Sequence, residues 1–311
     1  MEIISRLQDL KQNKNCVITT GTFDGVHLGH QSIINQLHKT ASSINGCATV
    51  ITFEPHPQFV LKPNRETELK LLTTLEEKIS IFDKLQIDRL VVLTFTHELS
   101  NLTSQEFVEN ILIQKIGFKS IIIGYDHAFG KGRSGNIKTL SGLKKKYNYS
   151  IVQMTPFAFD DTIISSTKIR QLILSGNVSL AAKYLGREYK LAGKVIKGEG
   201  RGKTFSIPTA NVFPLSDKKL IPQNGIYAGR VKFKNKKYKA AIYIGKKPTF
   251  SNNRLFIEAY FFEFSGNIYN EMIEIEFTER IRDDIKFDNA KKLYTQIEKD
   301  KKKTLEILSK N

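Results

Sequence analysis

A segment rich in glycine and histidine, GTFDGVHLGHQ, has the residue types and spacing to bind phosphate. It follows the apolar run CVITT and opens a stretch with apolar residues at helical spacing, so it joins a predicted strand to a predicted helix. Backbone N–H groups and the dipole at a helix N-terminus favour anions. His27 and His30 are three residues apart and face the same way on a first helical turn. Two imidazoles there can stabilise charge that develops on a phosphate.

The glycines of this segment support the same interpretation. Gly21, Gly25 and Gly29 allow the backbone to approach a ligand closely. A metal site is the alternative, with Asp24 as the further ligand beside the two histidines. The order of strand, glycine turn and helix favours phosphate.

A hydroxyl-rich segment, ISSTKIR, opens another predicted helix, over 167–174. Ser165, Ser166 and Thr167 would cap a helix in any protein. Together with Lys168 and Arg170 they could also hold the β- and γ-phosphates of a nucleotide. The histidine segment strengthens the phosphate interpretation.

Two further segments, TFEPHP and GYDHAFGKGRSGN, follow the second and fourth predicted strands. Ligands of open α/β sheets bind at the carboxyl ends of the strands, so all four segments should converge there. Their ring-bearing and acidic residues could line a slot for a flat ring, although each could equally be an ordinary loop residue. These residues are Phe53, His56, Asp126, His127 and Phe129.

The segment GKVIKGEGRGKTFSIPTANV suggests a second phosphate site. A loop in which glycines such as Gly198 and Gly202 alternate with basic residues such as Lys203 can cover phosphates, although a plain β-turn is the alternative. It does not match a Walker A motif. The hydroxyl of Thr209 and the amide oxygen of Asn211 are the hard donors that Mg²⁺ accepts.

Glu258 stands in an apolar strand, IEAYFFEF, where a carboxylate is unusual. It could face outward from the strand. It could also be the base for a substrate hydroxyl, which must lose a proton before it attacks a phosphate.

The first half of the chain alternates apolar runs with helical patterns, which predicts a doubly wound parallel sheet. Short alternating strands between 189 and 277 predict a small β-barrel. A closing helix is expected from about residue 288, with the KDKKK run on its solvated face. Before the barrel, strands are predicted over 16–20, 48–53, 90–95, 120–124 and 150–154. Helices are predicted over 28–40, 75–85 and 104–113, the last with Ser104 as N-cap, and a lysine-rich helix is predicted to follow the fourth strand and to end at about residue 147.

The overall composition is that of a globular protein of about two domains, with 311 residues, 40% hydrophobic and 25% charged. No apolar run approaches a membrane span and the N-terminus lacks a signal peptide, so we expect a cytoplasmic protein. Cys16 and Cys47 are expected to be small buried hydrophobes. The net charge of +17 favours anionic partners, or it reflects a lysine-rich solvated surface.

Both halves together resemble the bifunctional bacterial riboflavin kinase/FAD synthetase family. The match spans nearly the whole chain and runs in order through GTFDGVHLGH, TFEPHP, GYDHAFGKGRSG, ISSTKIR, LGREYKLAGKV, PTAN, NGIYAG, IGKKPTF and IEAY. The resemblance implies an FMN adenylyltransferase domain over 1–186, with a parallel Rossmann-like nucleotidylyltransferase sheet. It implies a riboflavin kinase domain over 187–311, a mostly antiparallel β-barrel with a terminal helix.

The resemblance also implies the reactions and their partners. The kinase would convert riboflavin and ATP to FMN, and the other domain would join FMN to AMP from ATP, giving FAD and pyrophosphate. Both would use Mg²⁺. The substrates riboflavin, FMN and ATP are the expected partners, with neither nucleic acid nor membrane, in a monomer or weak homo-oligomer.

Roles follow by position in the matching motifs. Glu258 would be the kinase base, and His27 and His30 the catalytic histidines of the adenylyltransferase. In the adenylyltransferase, the resemblance implies that ATP is bound by Gly21, Thr22, Phe23, Asp24, Gly25, Gly29, Ser165, Ser166, Thr167 and Arg170, and that the flavin is bound by Phe53, His56, Asp126, His127 and Phe129. In the kinase, it implies that ATP is bound by Gly198, Gly202, Lys203, Thr209 and Asn211. Thr209 and Asn211 would also hold Mg²⁺.

Two other functions remain open at this point. Ala128 stands where the family has arginine, which suggests a riboflavin kinase with a weakened adenylylation site. The net charge of +17 suggests a basic nucleic-acid-binding protein, although no aromatic-rich basic stripe accompanies it. The flavin products would separate the first alternative, and salt-dependent binding to nucleic acid the second.

Overall fold

The computed structural model describes residues 1–62, 69–197, 209–246 and 255–310, and it forms two compact units, Met1–Ser165 and Ser166–Asn311. The helices between 166 and 185 belong to the second unit because the later of them packs on strands of the barrel. The sequence analysis assigns them to the first domain, and that boundary after residue 186 stays a prediction.

The first unit contains a parallel six-stranded sheet, which confirms the predicted α/β architecture. The strands are β1 (Glu2–Ile4), β2 (Cys16–Thr20), β3 (Cys47–Glu54), β4 (Arg89–Thr94), β5 (Ser120–Ile123) and β6 (Ser150–Gln153). Their order in the sheet is β1-β4-β3-β2-β5-β6, so the direction of winding reverses between β2 and β5. In such sheets the ligand crevice lies at this reversal, outside the carboxyl ends of the strands.

Apolar layers cover both faces of this sheet. Along β2, Val17 packs into one layer and Ile18 into the other, and both are fully buried. A nearly continuous apolar strand is the pattern that such double burial requires. The helices and short strands around the sheet are α1 (Leu28–Ser43), α2 (Pro57–Leu61), α3 (Leu75–Lys84), α4 (His97–Asn101), α5 (Ser104–Glu106), α6 (Ile137–Tyr147), and the hairpin of β7 (Ala158–Phe159) and β8 (Thr162–Ile163).

The helix expected over 104–113 differs from its prediction in two ways. Thr103, not Ser104, is the N-cap, because the side chain of Thr103 accepts from the backbone N–H of Glu106 while the carboxylate of Glu106 accepts from that of Thr103. This reciprocal pair is a capping box. The helix then continues as a π-helical segment, Phe107–Ile116.

The second unit is a closed antiparallel barrel with helices at both ends of its sequence, which confirms the predicted barrel and terminal helix. The elements are α7 (Ser166–Leu174), α8 (Val178–Leu185), β9 (Tyr189–Ile196), β10 (Ala210–Pro214), β11 (Gly225–Phe233), β12 (Lys236–Lys246), β13 (Leu255–Phe261), β14 (Met272–Arg282) and α9 (Ala290–Ser309). Around the barrel the strands follow the order β10-β13-β12-β11-β14-β9.

Helix α9 is fixed to the barrel by an ion pair that the sequence analysis did not foresee. Asp300, the acidic residue of the KDKKK run, is 5% exposed and not solvated as expected. It faces inward because Arg282 of β14 binds it through two nitrogens, with Nη2 at 2.6 Å from Oδ2 and Nε at 3.0 Å from Oδ1. Ile307 and Leu308 pack beside Ala228 on the same side. Within the described ranges, no helix is long and apolar enough to cross a membrane.

Candidate active sites

The two histidines of the glycine segment lie together at the start of α1. The rings of His27 and His30 stack with their centroids 3.7 Å apart. His27 is the N-cap, and its Nδ1 accepts from the backbone N–H of His30 at 3.4 Å. Gly29 leaves room for this stack, because a Cβ there would lie 3.1 Å from Nδ1 of His27. Two imidazoles thus lie at a helix N-terminus, where anions bind.

The turn before α1 is strained. Phe23, Gly25 and Val26 all have positive φ, of 48°, 85° and 38°. Glycine tolerates this region, but a β-branched valine is a genuine outlier there. The ring of Phe23 fixes the turn by packing edge-on against both His30, at 5.1 Å, and Phe82, at 5.7 Å. Such strain persists only where the surroundings over-determine it, as they do at functional sites.

Asp24 holds this turn against a distant segment. Its buried carboxylate accepts from the backbone N–H of Leu72 at 2.9 Å and of Thr73 at 3.0 Å. The hydroxyl of Thr73 accepts in turn from the backbone N–H of Gly25 at 2.9 Å. The carboxylate therefore fixes the glycine turn to the segment of Leu72 and Thr73. The assignment of Asp24 to ATP binding stays a prediction. The sequence analysis missed Thr73, since nothing local in LLTT marks it.

The sequence analysis also missed a buried lysine that contacts the same turn. Lys78 of α3 is 4% exposed, and its Nζ lies 3.5 Å from the carbonyl oxygen of Thr22. The hydroxyl of Thr52 donates to the same oxygen at 3.2 Å. Burial lowers the pKa of Lys78, whereas the nearby carboxylates of Glu54 and Asp24 raise it. The carbonyl oxygen of Thr22 thus joins the glycine turn both to Lys78 of α3 and to Thr52 of the TFEPHP segment. The helical spacing of Lys78 to the buried Phe82 is the signal that could have revealed it.

The hydroxyl-rich segment lies at the division between the two units. Ser165 ends the first unit, and Ser166 begins α7 of the second. Arg170 is half-buried, and its Nη1 lies 3.5 Å from the carbonyl oxygen of Ser166, while Thr167 is exposed. The convergence of these residues with the two histidines stays a prediction.

Three of the five predicted flavin-binding residues belong to one aromatic cluster. Phe53, at the end of β3, lies 6.4 Å from Phe107, which lies 6.0 Å from Phe129. Phe129 lies 5.5 Å from His127, and Phe95 completes the cluster at 5.7 Å from Phe53. The structure therefore joins β3 and the loop after β5 through Phe107, which the sequence analysis did not single out.

The other two have different surroundings. His56 is the N-cap of α2, with its Nδ1 accepting from the backbone N–H of Gln58 at 3.2 Å and its ring against Phe59. Asp126 is exposed. Burial lowers the pKa of His127 to about 4, so its imidazole is neutral at physiological pH.

The barrel brings four polar residues of the second unit side by side. Asn211 of β10 and Tyr243 of β12 are the register partners of Glu258 on its two sides. The hydroxyl of Thr209 donates to Oε2 of Glu258 at 3.3 Å. Neighbouring residues of β13 are buried in the barrel, so Glu258 points outward and is half-buried. It is both an outward-facing residue and the centre of a polar cluster.

A cavity of about 750 Å³ borders this cluster, lined in part by Ile196, Lys197, Asn211 and Phe256. This volume falls within the range of small-molecule sites. Burial and the carboxylate of Asp284, which accepts from the Tyr243 hydroxyl at 3.0 Å, raise the pKa of Tyr243. The predicted phosphate-covering residues Gly198, Gly202 and Lys203 lie outside the described residues.

Comparison with known proteins matches the two units to two family models. Residues 9–168 match the model described as FAD synthetase, and residues 185–308 match the model described as riboflavin kinase. Two similar proteins named bifunctional riboflavin kinase/FMN adenylyltransferase come from Buchnera aphidicola of Schizaphis graminum and from Bacillus subtilis. The first is 38% identical, with 96% of each chain covered, and the second is 35% identical, with 96% of this chain and 94% of that one covered.

A similar crystal structure, titled a macrolide-efflux protein from Streptococcus pneumoniae, shares this fold. The TM-score is 0.89 at 31% identity, with 97% of each chain covered. The architecture of both units is therefore found in an experimental structure of the same length.

Proposed function

Because the chain belongs to the bifunctional riboflavin kinase/FMN adenylyltransferase family, we propose that it makes FAD in two steps at separate sites. The barrel transfers the γ-phosphoryl group of ATP to riboflavin and releases ADP. The parallel-sheet unit joins the resulting FMN to the AMP part of a second ATP and releases pyrophosphate. The match of the two family models to the two halves of the chain carries this proposal.

The adenylylation step needs position and charge stabilisation more than proton transfer. The phosphate of FMN is already anionic, so no base is required when its oxygen attacks the α-phosphate of ATP. His27 and His30 bind the phosphates at the start of α1 and stabilise the charge of the transition state. The strained turn and the Asp24 contacts hold both imidazoles in place before the substrates arrive.

The kinase step needs a base, because the hydroxyl of riboflavin must lose a proton as it attacks. Glu258 accepts that proton, and the hydroxyl of Thr209 orients its carboxylate through the contact at 3.3 Å. Asn211, next to Glu258 across the strands, orients the phosphates of ATP from the same face.

The same cluster fits a magnesium ion. In the part of the chain that is described, no group of three histidine, cysteine, aspartate or glutamate side chains could hold a metal. Thr209 and Asn211 instead offer a hydroxyl and an amide oxygen, the donors that Mg²⁺ uses alongside nucleotide phosphates. When bound, the ion would neutralise phosphate charge.

Three further expectations accompany this function. The protein acts in the cytoplasm, it works as a monomer or weak homo-oligomer, and the net charge of +17 attracts ATP and FMN in place of nucleic acid. The names of the relatives, which give riboflavin and FMN as substrates, support the last of these expectations.

Single-site variants test the separation of the two activities. His30→Ala should lose FAD synthesis from supplied FMN and keep FMN synthesis from riboflavin, whereas Glu258→Gln should do the reverse. The matched controls are His97→Ala and Glu263→Gln, because both residues are exposed and lie elsewhere on their units. Loss of both activities in either site variant, with the fold intact, would overturn the two-site proposal.

A further inference from the structure

The two cysteines lie next to each other at the edge of the sheet opposite the glycine turn. Cys16 begins β2 and Cys47 begins β3, and the two residues are register partners in the parallel pair. Both side chains belong to the same apolar layer, so they point to the same face. Cys16 is fully buried and Cys47 is half-buried, and neither takes part in the proposed reactions.

This arrangement satisfies the distance that a disulfide requires. Neighbouring strands lie about 4.8 Å apart, and disulfide-linked residues have Cα atoms roughly 4.4–6.8 Å apart. Register partners on one face therefore need little backbone movement to be joined. Both thiols are free in this structure.

The surroundings favour a reactive sulfur. The pKa of Cys16 is lowered to about 6, chiefly by the neighbouring thiol of Cys47; burial opposes this lowering, and Thr49 and the guanidinium of Arg89 add to it. Arg89 is 4% exposed and is fixed by its Nη2, which donates to the carbonyl of Lys11 at 2.7 Å. A thiolate, not a thiol, is the nucleophile toward oxidants.

We propose that Cys16 and Cys47 form a modification site at which a small peroxide such as hydrogen peroxide makes an intramolecular disulfide. One thiolate attacks a peroxide oxygen, the O–O bond breaks, and the sulfur becomes a sulfenic acid while hydroxide leaves; the hydroxide takes up the proton that the thiol had released and becomes the first water. The second thiol attacks that sulfur, the S–S bond forms, and a second water leaves. Two thiols lose two electrons, and one peroxide gains them.

A bulky oxidant would fit this site poorly, because the open side is that of the half-buried Cys47 and Cys16 is closed to solvent. The site also lies at the amino ends of the strands, away from the substrates. The modification is therefore best followed on the sulfurs themselves.

Peptide mapping of the full chain tests this directly. Tryptic cleavage after Lys14, Lys39 and Arg65 places the cysteines in separate peptides, 15–39 and 40–65. After hydrogen peroxide, removal of the oxidant and blocking of free thiols, we expect these peptides to appear linked, lighter than their sum by two hydrogens. A thiol reductant should separate them. Cys47→Ser is the matched control and should give no linked species.

Three results would overturn the proposal. The first is that both cysteines still react fully with the thiol-blocking reagent after a peroxide treatment that oxidises free thiols in a reference peptide. The second is that one cysteine alone gains oxygen atoms while the other stays a thiol. The third is that the disulfide joins two chains, which a non-reducing gel of wild-type protein would show as a dimer.

Discussion

The contacts of Asp24 predict that this residue stabilises the empty protein. The change Asp24→Ala would leave the backbone N–H groups of Leu72 and Thr73 without their acceptor, in a place where both residues are at most 4% exposed. A buried donor without a partner costs about 1–3 kcal/mol. Two of them predict a loss of about 2–6 kcal/mol for the segment that holds the glycine turn.

Hydrogen exchange measured by mass spectrometry gives this loss for one unit at a time. Even a loss of about 2 kcal/mol corresponds to roughly 30-fold faster exchange of the amides of residues 71–73, where exchange follows the opening equilibrium. Peptides from the barrel should exchange unchanged. The matched control is Asp83→Ala, an exposed aspartate whose loss should cost less than about 0.5 kcal/mol.

An effect of Asp24 on nucleotide alone would refute this prediction. If Asp24 acted only on nucleotide, Asp24→Ala would leave exchange in the empty protein unchanged and would reduce FAD synthesis alone.

Three further predictions concern buried charges. Lys78→Met should lower FAD synthesis by about tenfold, which corresponds to about 1.4 kcal/mol, and should leave FMN synthesis unchanged. Lys78→Arg should retain more FAD synthesis than Lys78→Met. Equal loss of FAD and FMN synthesis in Lys78→Met would contradict this prediction. Burial lowers the pKa of His127 from 6.5 to about 4, so between these pH values the unfolded chain binds a proton that the folded chain does not. The free energy of unfolding should therefore fall by up to about 3 kcal/mol as the pH drops from 6.5 to 4. His127→Phe should remove this fall in unfolding experiments between pH 7 and pH 4, and an unchanged pH dependence would exclude His127 as its source. Asp300→Ala should destabilise the second unit by about 3–5 kcal/mol, because it removes the buried carboxylate that pairs with Arg282. Asp283→Ala removes a carboxylate that is 77% exposed and should cost at most about 1 kcal/mol; equal effects in denaturant titration would contradict the role of burial.

The elements that the sequence predicted well carry strong local patterns. β2 is a continuous apolar run, and the glycine and histidine residues after it mark a turn into α1. The barrel strands alternate buried and less buried residues, as β13 does with buried and half-buried ones, and this alternation made the change of architecture predictable. The sequence is enough to predict such features because the same spacing of apolar residues repeats along the whole helix or strand.

The missed features depend on contacts between residues far apart in sequence. Asp24 meets Leu72 and Thr73 across 48 and 49 residues, and no pattern near either end announces the contact. Asp300 reads as part of a charged run until Arg282 is placed beside it. Within the candidate sites, local patterns and the family resemblance therefore singled out the proposed catalytic side chains, but not the residues that hold them.

Product analysis of the wild-type chain tests the central claim most directly. Purified protein is given ATP and Mg²⁺, once with riboflavin and once with FMN, and the flavins are separated by chromatography. We predict FMN followed by FAD from riboflavin, and FAD with released pyrophosphate from supplied FMN. FMN without any FAD, even from supplied FMN, would contradict the proposed adenylylation, and no new flavin from either substrate would contradict both assigned reactions.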